Sequence, residues 1–351
     1  MVASSALKPE LYVTNDLPPN AVIFGRSEAM REVRRKVERL ASANIPVLLQ
    51  GESGTGKEIL AKLFHQHSPW HNGPFVKVNC PAIPGSLLES ELFGYERGAF
   101  TGANGSKPGR VEMAHRGTLF LDEISEMNLD LQSKLLQLLQ DGQFCRIGAQ
   151  EDRRVEVRVV CATNRDLQAE VNAGRFRQDL FYRIAVVTIQ LPPLRERLED
   201  IPDLARYLFE RYKEKYNSSA QMIPQATMAR LQQYSWPGNV RELENVVRRY
   251  VILGNEEALS DQLQTRATEI SVDDLLASGD FSLKNVTRRA VAEIERKLIL
   301  RVLQNNNWNR KRTAKVLGIS YRALLYKIQQ AGLPPSRARV ESALRRPPQP
   351  V

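Results

Sequence analysis

The sequence is poor in cysteine. Its three cysteines, Cys80, Cys145 and Cys161, include no CxxC spacing, which excludes a disulfide framework and a structural zinc site of the usual kind. Long apolar runs are missing too. No stretch approaches the roughly 18 residues that cross a bilayer, and the first residues lack a signal-type apolar segment. A reducing, cytoplasmic setting without a membrane is therefore expected. Acidic residues are scarce at one end only. Residues 281–351 hold 16 Lys and Arg against 3 Asp and Glu, whereas the remaining 280 residues hold 34 against 37. The whole net charge of +10 thus sits in the last fifth of the chain. Such asymmetry points to a polyanion-binding appendage on a near-neutral body. With 42% hydrophobic and 26% charged residues the composition is globular, and 351 residues predict two or three domains.

Residues 1–20 show little periodicity and read as a loose arm. From 21 to 192, short apolar runs at 47–50, 75–78, 118–121, 157–160 and 186–189 alternate with amphipathic stretches such as 129–140. This alternation predicts an α/β fold with a mainly parallel sheet covered by helices. Residues 193–254 read as a small helical domain with helices near 200–215, 225–234 and 239–253. Residues 255–281 are polar and acidic, as in a linker. Helices return over 282–333, and 334–351 reads as a disordered tail.

The run Gly51-Glu52-Ser53-Gly54-Thr55-Gly56-Lys57 follows a predicted strand and opens a predicted helix, the context that a P-loop requires. Glycines let backbone amides curl around the β-phosphate of ATP, the helix N-terminus adds partial positive charge, and Lys57 neutralises the β- and γ-phosphates. The position after the lysine, usually a Ser or Thr on Mg2+, is Glu58. Thr55, water or Glu58 itself then completes the metal's coordination. Asp122 and Glu123 end the apolar run Leu119-Phe120-Leu121, about 65 residues after Lys57. Asp122 suits Mg2+ binding through water, and Glu123 suits orienting or deprotonating an attacking water. The pair predicts ATP hydrolysis rather than nucleotide binding alone.

Between these motifs lies Gly98-Ala99-Phe100-Thr101-Gly102-Ala103, preceded by Glu91-Leu92-Phe93-Gly94. With its flanking text it resembles the signature loop of the sigma-54-dependent transcription activators, the bacterial enhancer-binding proteins of the AAA+ ATPase class. The resemblance spans about residues 21–254 and 283–333, and Glu58 is an ordinary residue in that family's P-loop. It implies an AAA+ parallel-sheet domain, a helical lid and a DNA-binding domain. By resemblance Asn164 is the sensor of the γ-phosphate and Asn79 the switch that holds the glutamate until ATP is bound. Arg177 and Arg183 are implied as fingers reaching a neighbouring subunit's ATP, which requires a ring, a hexamer in this family. Arg241 is implied as the second sensor, on the lid. The glycines make the 98–103 loop flexible, with Phe100 and Thr101 at its tip. An apolar side chain on a mobile surface loop usually serves a contact. By resemblance the partner is sigma-54 RNA polymerase holoenzyme.

Residues 309–328 read as helix, turn, helix, with Asn309 and Ser320 as N-caps and Gly318 ending the first helix. Ala314, Leu317, Ile319, Leu324 and Ile328 form an expected core. Tyr321, Arg322 and Lys327 are expected to face outward, and Arg310, Lys311, Arg312 and Ser320 complete the candidate DNA-binding set. The segment resembles the Fis-type domain that closes many family members and implies double-stranded enhancer DNA as ligand. The stripe Val286, Ala290, Ile294, Leu298 and Val302 serves either a dimer interface or internal packing. Two rival readings are a generic AAA+ unfoldase and a nucleotide-bound repressor. Only about 20 residues precede the ATPase, where most family members carry a regulatory domain. Control in trans, constitutive activity and a fragment all remain open.

Overall fold

The structure, a computed structural model, describes residues 17–254, then 299, 302, 303, 306 and 308–330. The expected linker, tail, most of the arm and most of the 286–302 stripe lie outside the described residues. The chain divides into two units, Met1–Leu263 and Gln264–Val351.

Among the described residues of the first unit, nine strands run β1 Val47–Gln50, β2 Phe75–Asn79, β3 Gly94–Tyr95, β4 Lys107–Pro108, β5 Gly117–Asp122, β6 Gln143–Phe144, β7 Arg153–Arg154, β8 Val157–Thr163 and β9 Thr188–Gln190. Five of them form one sheet in the order β2-β5-β8-β1-β9. Every neighbouring pair in it is parallel. Period-two alternation divides its side chains between two cores. Leu48, Leu119, Leu121, Val159 and Cys161 face one layer with Leu131, Leu135 and Leu138. Val47, Leu49, Phe120, Val160 and Ala162 face the other, with Val33, Val37, Leu60 and Phe64. Both faces are buried, so the strands are mostly apolar, as all-parallel sheets require, with Lys77 in β2 and the buried Arg158 in β8 as charged exceptions.

Helix Leu129–Asp141 illustrates the local logic. Asn128 caps it by accepting the Leu131 N–H at 2.9 Å, and Gly142 ends it at φ +67°, a conformation that glycine adopts without strain. The lid is built from helices Ile201–Tyr216, Gln225–Gln233 and Asn239–Leu253, around a separate core that includes Leu204, Phe209, Leu243 and Trp236.

Two differences from the expectations are informative. The last strand begins at Thr188, and Val186, expected within it, is exposed. Pairing with β1 starts at Leu48 with Thr188, and the Leu48 N–H donates to the Val187 carbonyl at 2.9 Å, so Val186 precedes the ladder. The hairpins β3–β4 and β6–β7 were not anticipated, because two-residue strands carry no readable period.

In the second unit Asn309 accepts the Arg312 N–H at 3.1 Å and opens helix Arg310–Val316. Gly318 turns the chain at φ +64°. The Ser320 hydroxyl then accepts the Ala323 N–H at 3.1 Å, at the start of helix Tyr321–Gln330. Ala314, Leu324 and Ile328 form a core with Ile299 and Leu303, and Leu317 and Ile319 pack against it.

Candidate active site

The loop 51–56 leaves β1 and enters helix Lys57–Gln66. Gly51, Gly54 and Gly56 have φ of +156°, +80° and +109°. At Gly54 a Cβ would also lie 2.5 Å from the Gly238 carbonyl oxygen, so this glycine is required by both conformation and crowding. Gly56 caps the helix without a side-chain bond. The first-turn amides therefore have no side-chain acceptor from the cap, as an anion site at a helix N-terminus needs. Lys57 is buried, and its ammonium donates to the Gly51 carbonyl at 2.7 Å.

At the far end of β5 the two carboxylates diverge. Asp122 stands opposite Asn79 in the β2–β5 register. Burial pushes its carboxyl above the ordinary value against the pull of Lys77, whose ammonium lies 3.6 Å away, and the Glu123 charge adds to the rise. Glu123 adopts φ +55°, a costly conformation for a non-glycine residue that turns its side chain toward the phosphate loop. Its carboxylate lies 3.4 Å from the Lys57 ammonium and accepts the Asn164 backbone N–H at 2.9 Å. Asn79 sits exposed at the end of the adjoining strand. Among the described residues its side chain makes no hydrogen bond to Glu123, whose partners here are Lys57 and Asn164.

The two protein candidates for metal coordination are engaged otherwise. The Thr55 hydroxyl donates to the Glu52 carbonyl at 2.8 Å. Glu58 pairs with Lys77 at 2.6 Å and Lys62 at 3.0 Å. Burial raises its carboxyl, and the two lysines outweigh that and hold it below the ordinary value. Among the described residues no group of three or more His, Cys, Asp or Glu side chains forms a metal cage. Of the carboxylates here Asp122, at the end of β5 beside Glu123, is the one whose position suits a water-mediated hold on Mg2+.

The lid closes over the loop. Arg241 donates to the Ser53 hydroxyl at 2.8 Å, and the Val240 N–H donates to the Gly54 carbonyl at 3.0 Å. Glu52 turns outward to Arg195, which donates to both of its oxygens at 2.6 and 2.9 Å. Arg197, buried and pushed down to about 10 by that burial, donates to the Thr55 carbonyl at 2.8 Å. Beside Thr55 and Gly56 opens an apolar cavity of about 130 Å3, lined by Ile23, Ile59, Leu60, Leu191, Leu204 and Val240 among others. Lys77, Arg195, Arg197 and this cavity were missed from the sequence. Lys77 alone left a signal, as the one charged residue of an apolar strand.

Arg177 and Arg183 lie on and just before helix Gln178–Ile184. Arg177 pairs with Asp179 at 2.7 Å and donates to the Ser133 hydroxyl at 3.0 Å. Arg183 donates to the Leu139 carbonyl at 2.8 Å. Both guanidiniums thus face helix Leu129–Asp141 and not the chain's own phosphate loop.

The run 98–103 is the tip of the excursion between β3 and β4. Gly98 and Gly102 have φ of +83° and +103°, and the Gly98 N–H donates to the Ala103 carbonyl at 2.9 Å. Ala103 is buried, whereas Phe100 is 42% exposed and meets the Tyr95 ring edge-on at 4.9 Å between centroids. A second excursion supports it. Arg146 donates to Glu112 at 2.7 Å and to Glu96 at 3.0 Å, and Arg153 reaches the same two carboxylates at 3.3 Å. Thr101 is exposed at the tip.

In the second unit Lys311, Arg312, Ser320, Tyr321 and Arg322 are exposed, and Arg310 is half-buried. Lys327, expected to face outward, is half-buried as well, since it flanks the stripe formed by Leu324 and Ile328. Tyr326 is 66% exposed and had not been singled out.

A P-loop, a paired-carboxylate strand end and a helical lid define the class as AAA+ ATPases. Residues 23–190 match the Sigma-54 interaction domain family, residues 195–274 the AAA+ ATPase lid domain and residues 290–330 the Bacterial regulatory protein, Fis family. The chain is 44% identical over 319 residues to Regulatory protein AtoC of Escherichia coli (strain K12), covering 90% of this chain and 68% of that one. It is 41% identical over 333 residues to the DNA-binding transcriptional regulator NtrC of Klebsiella pneumoniae, with 90% and 71% covered. Among solved structures, NtrX from Brucella abortus in complex with ADP aligns at 35% identity and TM-score 0.64, over 88% of this chain and 69% of that one. NtrX in complex with ATP aligns at 34% and 0.64, over the same shares. The chain belongs to the sigma-54-dependent transcriptional activators, AAA+ ATPases that carry a Fis-type helix-turn-helix.

Proposed function

We propose that this ATPase binds enhancer DNA through its Fis-type unit and remodels the closed complex of sigma-54 RNA polymerase, working as a hexameric ring in the cytoplasm. One observation carries the reading. The excursion that holds Phe100 and Thr101 is inserted between β2 and β5, the strands that end in Asn79 and in Asp122 and Glu123. A change at the phosphates then reaches the loop through the two strands that flank its insertion.

Lys57 and the loop amides hold the phosphates of ATP, and the 130 Å3 cavity takes its base. Glu123 orients the attacking water, while Asn164 reports the γ-phosphate through the N–H it gives that carboxylate. Asp122 would hold Mg2+ through water, and the ion would supply positive charge beside the phosphates. Asn79, opposite Asp122 on the adjoining strand, is the residue we assign as the switch on Glu123, although in the arrangement described Glu123 is held by Lys57 and Asn164 instead. Arg177 and Arg183 face away from their own loop, as residues acting on a neighbour's ATP must. The C-terminal unit dimerises, and exposed Tyr321 and Arg322 enter the major groove while Lys311 and Arg312 meet phosphates.

The test uses the purified chain with sigma-54 holoenzyme on a promoter bearing the enhancer. Open complexes are expected only with sigma-54 and only with hydrolysable ATP. Hydrolysis without promoter opening would favour a generic remodeller. Opening without hydrolysis would contradict the account.

A further inference from the structure

Asn239 lies at the first turn of the lid helix, two residues before Arg241, and is fully buried. It adopts φ +54°, which asparagine tolerates better than most non-glycine residues. Its side chain meets two separate segments. The amide oxygen accepts the Leu194 N–H at 2.7 Å, and the amide nitrogen donates to Glu52 and to the Ser53 carbonyl, both at 3.1 Å. Glu52 in turn takes both Nη atoms of Arg195. One carboxylate and one amide therefore fasten the Leu194–Arg195 segment before the lid, the lid helix and the phosphate loop together.

This arrangement addresses a difficulty in the loop. A carboxylate in a loop built for polyphosphate opposes the ligand's charge unless a cation balances it. The Glu52 carboxyl is held below the ordinary value first by its hydrogen bonds to Arg195 and Asn239, so it stays ionised and stays paired. Its geometry turns a repulsive group into a fastening. Arg241 depends on that fastening, since its guanidinium reaches Ser53 from the same turn of helix.

We propose that Asn239, Glu52 and Arg195 are positioning residues: they register the lid on the phosphate loop through protein contacts, and so place Arg241 before any nucleotide arrives. The inference rests on Arg241 acting at the phosphates, as read above.

A double-variant cycle in the full chain tests it, with kcat and KM for ATP measured and thermal unfolding followed alongside. Glycine keeps the left-handed backbone while removing the amide, so Asn239→Gly is the informative substitution. Arg241→Ala is expected to lower kcat at least about tenfold, and Asn239→Gly by a comparable factor. Because one acts through the other, the double variant should be no slower than the worse single one. Multiplying losses would mean that Asn239 is merely structural, and would overturn the inference alone. A parental rate for Arg241→Ala would remove Arg241 from the proposed function, and the inference with it.

A second arm avoids the buried site and tests the charge balance of the same fastening, so that part of the inference can be overturned even where Asn239→Gly folds poorly. Arg195→Gln leaves Glu52 unbalanced and should raise KM for ATP about threefold. Adding Glu52→Gln removes the stranded charge and should bring KM back to within about twofold of the parent. A double variant as weak as Arg195→Gln alone would overturn the electrostatic role.

Discussion

The phosphate site and the contact loop are built on different principles. In the first, the phosphate loop and the two carboxylates come from short continuous runs whose local geometry sets them. Left-handed glycines shape residues 51–56, and the buried strand β5 delivers Asp122 and Glu123 to its end. In the second, the run 98–103 supplies only the tip. Its foundation is the set of ion pairs joining Glu96 and Glu112 to Arg146 and Arg153, which come from another excursion. Chemistry at a strand end is thus set locally, whereas a surface loop's placement depends on residues far along the chain.

The largest expected effects lie on the phosphate side of that comparison. Arg183→Ala should cut steady-state ATP turnover by about 10³-fold or more while leaving nucleotide affinity nearly intact, since a finger acting in trans works in the transition state. Mixing it with Glu123→Gln protein should restore some hydrolysis, because a ring then contains interfaces with one intact site and one intact finger. No recovery at any ratio would make Arg183 structural. Glu123→Gln alone should lower turnover by about 10²–10⁴-fold with ATP still bound. More than a tenth of parental turnover would remove Glu123 from its role, by the same reasoning.

Removing residues 282–351 should abolish specific DNA binding and leave hydrolysis in place. In the intact chain log affinity should fall with log salt by about 0.9 per phosphate neutralised. Unchanged DNA affinity after truncation would move the binding surface to the ATPase. The smallest effect sharpens the contrast within the loop. Arg146→Ala removes the buried partner of Glu96 and Glu112 and leaves them only the half-exposed Arg153, and should cost about 1–3 kcal/mol of stability by denaturant unfolding. Phe100→Ala, at an exposed ring contact, should cost less than about 1 kcal/mol. Equal losses would erase the distinction between foundation and tip.

The parallel sheet, the lid helices and the phosphate-binding run were legible because apolar alternation and glycine spacing are local signals. Helix 239–253 could be read to its ends, since Gly238 and Gly254 bracket an amphipathic stripe. What stayed hidden depends on tertiary approach. Nothing in Leu194-Arg195-Glu196-Arg197 announces that one arginine will grip Glu52 and the other the Thr55 carbonyl. Lys327 looked like an outward cation, but a single helical step toward Leu324 half-buries it. The finger, switch and sensor assignments came from resemblance, because no spacing rule marks an arginine whose target sits on another subunit.

Thr101→Ala tests the central claim most directly, since it removes one exposed hydroxyl from a segment that bonds to none of the phosphate-site residues. Turnover and promoter opening are measured on the same purified variant. The account predicts that ATP hydrolysis persists while capture of sigma-54 with a transition-state mimic, and open-complex formation, both fail, because small contact tips concentrate binding in few side chains. Promoter opening at the parental level would contradict it and leave a generic AAA+ remodeller as the better reading.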